Sequence, residues 1–113
     1  MNDQCIFCKL TQKKDSSIEF EDDQVVAFCD INPKAPVHIL IVPKKHIESI
    51  RQLHIEDECL VGHMVDVAKN LAREKGISDS GYRLVFNVGK DSGQVVDHIH
   101  LHLLGGKPLG DIG

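Results

Sequence analysis

The chain has 113 residues, 42% hydrophobic and 27% charged, enough for one domain spanning 1–113 with its own core and too little for two. Thirteen basic against seventeen acidic residues give a formal charge of −4, with Lys13-Lys14 and Lys44-Lys45 as the only basic pairs, which argues against long nucleic acid as a partner. No apolar run has membrane-crossing length and residues 1–15 hold no signal-peptide core, so a cytoplasmic protein with no membrane partner is expected, its four cysteines reduced rather than paired.

In chain order, Ser17–Glu21 and Gln24–Cys29 read as a β-hairpin closed by the acidic turn Glu21-Asp22-Asp23. Asn32-Pro33-Lys34-Ala35-Pro36 is a stiff loop, because each proline fixes φ and biases its predecessor away from helix. Val37 to Pro43 is a buried strand, and 44–51 a short helical turn. A long helix is predicted from about Glu56 to Lys75. Leu60, Met64, Val67, Ala68 and Leu71 recur on one face, acidic residues crowd its first turn, Arg73 and Lys75 its last, and Gly76 ends it. Gly81–Val88 reads as a strand, Gly89–Gln94 as a flexible glycine loop, and Asp97–Leu104 as the last strand before Gly105-Gly106. The order predicts an α+β fold with an antiparallel sheet of about five strands, one long helix and a short one.

The segment DHIHLHLLGG, Asp97 to Gly106, carries the chemistry. On a strand His98, His100 and His102 share one face, about 6.6 Å apart in succession, while Ile99, Leu101 and Leu103 share the other. Burying three imidazoles without partners would cost several kcal/mol, roughly 1–3 for each unsatisfied group, so the row is functional rather than filler. Two chemistries fit it: a histidine metal site, or a nucleophilic imidazole oriented by its neighbours. Geometry on a strand does not choose between them. Cys5-x-x-Cys8 alone reads as two buried thiols, Asp30-Ile31-Asn32-Pro33 alone as a turn, and Cys29 and Cys59 as core residues. His38, His54 and His63 follow no pattern of their own.

The string His98 to Leu104 (His, apolar, His, apolar, His, apolar, apolar) resembles the signature of the histidine triad family. Phe28–Ile47 and Gly81–Gln94 look like the corresponding parts of its Hint branch, and the likeness runs from Cys5 to the Gly-Gly-Lys-Pro-Leu-Gly near the end. The resemblance implies a hydrolase of purine nucleoside phosphoramidates. In it His100 attacks the α-phosphorus to give a nucleotidyl–histidine, His102 bonds the phosphate or leaving group, and His98 orients its neighbours or holds metal. It further implies Asp30 at the ribose, Phe28 and Ile31 at the base, and Asn87 with the Gly93, Gln94 and Val95 segment at the phosphate. A structural zinc on Cys5, Cys8, His46 and His98, and a homodimer, also follow from the likeness. Val95 stands where several relatives carry a hydroxyl residue, which bears on substrate preference and rate. The rival expectations are a nucleotide-binding regulatory module with weak activity, a dinucleoside polyphosphate hydrolase, and a three-histidine metalloenzyme.

Overall fold

The computed structural model describes residues 5–8 and 18–112; the Lys13-Lys14 pair and Ser17, the predicted start of the hairpin, lie outside the described residues. Five strands form one antiparallel sheet: β1 (Ile18–Glu21), β2 (Val25–Cys29), β3 (Val37–Pro43), β4 (Tyr82–Val85) and β5 (Leu101–Gly105), in the spatial order β1-β2-β3-β5-β4. The predicted α+β architecture holds. The hairpin turn is built by Asp22, whose Oδ1 accepts from the backbone N–H groups of Gln24 and Val25, both at 2.8 Å. The helix α1 (Glu58–Glu74) is 17 residues long and follows a 3₁₀ turn at Ile55–Asp57.

Alternation along the strands divides the core in two. Val25, Ala27, Ile39, Ile41, Leu101 and Leu103 face α1, against its stripe of Met64, Val67, Ala68, Leu71 and Ala72. The residues between them, Val26, Phe28, Leu40 and Val42, face the other way and cluster with Cys5, Phe7 and Cys8. The N-terminal residues 5–8 therefore cover the face of the sheet opposite the helix, and His102 points into that side. The helix ends as predicted: Gly76 takes φ +75°, and its N–H and that of Ile77 close onto the carbonyls of Arg73 and Ala72.

Three expectations need correction. Residues 44–49 are irregular, and the short turn is 3₁₀, at Ile50–Gln52. The Lys45 ammonium instead binds the buried Asp57 carboxylate at 2.7 Å, whose other oxygen accepts from the His54 N–H, so the segment is tied down by its side chains. Cys29 and Cys59 are exposed, not core: Cys29 ends β2 beyond its buried stretch, and Cys59 lies on the solvent side of the first turn of α1. The last strand starts at Leu101 rather than Asp97. Pairing with β3 stops at Ile41–Leu101 because Pro43 has no N–H to offer and its carbonyl is taken by the His98 ring at 2.8 Å. Ile99 donates instead to the Ile47 carbonyl at 2.6 Å.

Candidate active site and metal cluster

A cavity of about 430 Å³ opens on the sheet face away from α1. Of the residues expected at a nucleotide, Phe28, Asp30, Ile31, Asn87, Gly93, Val95, His100 and His102 line it. Gln94 does not. Its side chain staples the Gly89–Gln94 loop, accepting from the Gly89 N–H at 2.8 Å and donating to the carbonyls of Glu48 and Val96 at 2.8 and 3.1 Å. That loop is thus less flexible than its composition suggests, with a 3₁₀ turn at Lys90–Ser92. Gly89 has φ +82°, a conformation that favours glycine, and a Cβ there would oblige the guanidinium of Arg51 to shift. Ile6, Phe7, Ile18, Leu40 and Val96 complete the apolar wall.

The three triad histidines have different surroundings. His98 is fully buried, His100 nearly so, and His102 half-buried. Each ring's proton position follows from its partners. The Nδ1 of His100 lies 2.7 Å from the carbonyl of His98, which can only accept, so Nδ1 carries the proton and Nε2 carries a lone pair. Burial pushes the pKa of His100 down, so the ring is neutral at pH 7 and that lone pair is available. Phe7 stands edge-on to the ring, centroids 4.9 Å apart, and fixes its plane.

His102 is set by His38, a residue the sequence pattern had not singled out. The Lys34 N–H donates to Nδ1 of His38 at 3.1 Å, which leaves the proton of the neutral ring on Nε2. That Nε2–H points to Nδ1 of His102 at 2.9 Å, with a carboxylate oxygen of Asp30 at 3.4 Å. His102 therefore holds its own proton on Nε2. That atom is buried and has no hydrogen-bond partner. Desolvation first, then the neighbouring rings of His100 and His38, holds the pKa of His102 down to about 4. The signal for His38 was its place in an otherwise apolar run, VHILIVP, where a buried polar ring must find partners. Asp30 serves both readings of its segment: Oδ1 caps a turn at the Asn32 N–H (2.8 Å) while the residue lines the cavity.

Cys5, Cys8, His46 and His98 converge behind the cavity, their ligand atoms all within 4.8 Å of one another. The Sγ of Cys8 lies 3.2 Å from Nδ1 of His46 and 3.4 Å from Nδ1 of His98, and the Sγ of Cys5 3.3 Å from the latter. Tetrahedral zinc with two sulfurs and two nitrogens has S···N edges of about 3.6 Å. The cluster is within a few tenths of an ångström of that shape. His98 gives its Nε2–H to the Pro43 carbonyl, so Nδ1 is the bare nitrogen a metal needs. The four residues are positioned to bind a metal ion.

The family model for the C-terminal binding region of scavenger mRNA decapping enzymes matches residues 4–110. A purine nucleoside phosphoramidase of Escherichia coli K12 is 45% identical over 111 residues, 97% of this chain and 93% of its own length. The chain belongs to the histidine triad family. Among solved structures, a histidine triad family hydrolase from Legionella pneumophila is 48% identical with TM-score 0.90, covering 94% of this chain and 96% of its own. A histidine triad protein from Clostridium difficile is 42% identical with TM-score 0.94, covering 100% and 99%. A zinc-bound histidine triad protein from Mycobacterium smegmatis is 27% identical with TM-score 0.77, covering 96% and 78%.

Proposed function

We propose that this histidine triad protein hydrolyses purine nucleoside phosphoramidates through a nucleotide bound covalently to His100. The observation that carries the reading is the pairing of opposite tautomers at one cavity: a bare Nε2 on His100 beside an unpartnered Nε2–H on His102, ring centroids 4.9 Å apart. One is a nucleophile, the other a donor for a phosphoryl oxygen. In the first step the Nε2 of His100 bonds to phosphorus, the P–N bond of the substrate breaks, and the amine leaves with a proton from solvent. The phosphorylated ring is cationic, and its Nδ1–H bond to the His98 carbonyl strengthens as that charge appears. Water then attacks phosphorus, the P–Nε2 bond breaks, and nucleoside 5′-monophosphate departs. The proton taken up by the amine is returned by that water.

The apolar wall suits a purine, the carboxylate of Asp30 a ribose diol, and Asn87 with the Gly93–Val95 segment the phosphate. Zinc is the metal proposed for Cys5, Cys8, His46 and His98, as a closed structural site; when bound, it supplies rigidity and no open coordination position. The whole of residues 1–113 is taken as one unit acting in the cytoplasm. A homodimer is proposed through the edge strand β4, which leaves backbone groups for a second copy to pair.

The test is turnover of adenosine 5′-phosphoramidate by the protein and by His100→Ala, with rapid acid-free quenching to trap adenylylated protein. Loss of at least roughly 10³-fold in rate, together with loss of the adduct, is expected. If the unmodified protein binds AMP yet turns over no faster than the variant, it is a nucleotide-binding module instead.

A further inference from the structure

Among the described residues, the cavity wall holds no lysine or arginine, and its one charged side chain is the carboxylate of Asp30. Of the two imidazoles that line it, His102 accepts from His38 at Nδ1 and so carries a single proton, and His100 commits its Nδ1–H to the His98 carbonyl, leaving Nε2 bare. Behind His102 stands a third neutral ring, His38, whose pKa burial also lowers and whose Nε2 faces Asp30 at 3.4 Å. The Lys34 ammonium acts on His38 through space, but neither it nor the guanidinium of Arg51, which lies against Gly89, lines the cavity. What awaits a phosphoryl group is neutral throughout: one buried imidazole N–H with no partner, on His102, the amide of Asn87 and the Gly93–Val95 segment. At the mouth sits Val95, 90% exposed, where its apolar side chain adds neither donor nor charge.

Resting on the reading of this cavity as a nucleotide site, we propose that it selects by charge: it accepts a phosphoryl group bearing one negative charge and disfavours phosphate dianions and polyphosphates. Neutral dipoles stabilise one anionic oxygen well. A second charge gains little from them and is repelled by Asp30 in a partly desolvated site. A phosphoramidate carries one charge at phosphorus, whereas the monophosphate product carries close to two above its second ionisation, near pH 6. The same asymmetry that admits the substrate then expels the product, and it disfavours dinucleoside polyphosphates, whose further phosphates find no cation here. A site built for polyphosphate would be expected to spend an arginine or lysine on it.

The discriminating probes are AMP and adenosine 5′-methylphosphonate. They have the same shape and differ by one charge, and neither has the P–N bond that the protein is proposed to cleave. Competition against phosphoramidate turnover at pH 8 and low salt is expected to show the phosphonate binding roughly tenfold or more tighter than AMP, and AMP tighter than ADP. Val95→Lys, which sets an ammonium at the mouth, is expected to strengthen AMP more than the phosphonate and so narrow the gap. Equal or tighter binding of AMP by the unmodified protein overturns the charge selection while leaving a His100-dependent turnover intact. Should turnover prove independent of His100, direct calorimetric titration of the same two ligands measures the charge preference without it: the phosphonate is again expected to bind tighter, and the reverse order overturns the proposal.

Discussion

The Lys34 N–H and the His98 carbonyl approach the site from different segments, and each decides which nitrogen of a ring keeps its proton. The first acts at one remove, through His38 to His102; the second acts directly on His100. Removing His38 leaves Nδ1 of His102 without its donor, so either tautomer becomes accessible and the Nε2–H that meets phosphate is no longer enforced. His38→Ala is expected to lower kcat by roughly 10–100-fold with a smaller change in KM. His38→Gln, which keeps an N–H in about the right place, is expected to recover part of that loss. A purely structural role would instead lower stability and leave kcat per folded molecule unchanged. The pH profile is a second check at this scale. His100 attacks only when neutral, and its pKa lies below the ordinary histidine value. The midpoint of the acid limb of kcat/KM is therefore expected below pH 6.5.

At the level of elements, the sheet holds the site by burying the opposite side of the same strands. Leu101 and Leu103 hold β5 against Met64 and Leu71, and His102 between them is aimed away from α1 by alternation alone. Met64 is fully buried at the centre of that contact. Met64→Ala is expected to cost about 2–5 kcal/mol in denaturant unfolding while leaving kcat per folded molecule within about twofold. The helix and hairpin were legible because their signals are local: a repeat of 3.6 with charges sorted by end, and an acidic turn between two apolar runs. The start of β5 was not legible. It depends on where the carbonyl of Pro43 finds a partner, 55 residues away, in the ring of His98. Cys29 and Cys59 looked apolar by neighbourhood, yet Cys29 closes β2 where the buried stretch runs out and Cys59 lies on the solvent side of α1, positions that neighbourhood alone does not reveal. His38 was hidden for the opposite reason, since a single histidine in an apolar strand has no period to betray it.

Across the whole molecule, the N-terminal residues and the triad are tied at one point, where Cys5 and Cys8 meet His46 and His98. Phe7 lies between the two cysteines in the chain and is itself the edge against which His100 rests. Losing the metal cluster should therefore disturb the nucleophile without touching it. Cys8→Ser is expected to hold less than one equivalent of zinc by elemental analysis. It should melt at least roughly 4 °C lower, the shift for about 1 kcal/mol in a domain of this size, and lose kcat through a poorly oriented His100. Metal-free protein should also show an acid weakness of definite sign. Desolvation, the largest cause, holds the folded pKa of His98 at about 4, and His102 likewise, against an ordinary value of 6.5. Between those values the unfolded chain takes up protons that the folded one refuses, so stability falls as pH drops from about 6.5 toward 4 and levels off below. Urea unfolding of chelator-treated protein at pH 7, 5.5 and 4.5 measures that slope. A flat profile would mean that these rings are not held neutral by burial, and the tautomers inferred from their partners would lose their basis.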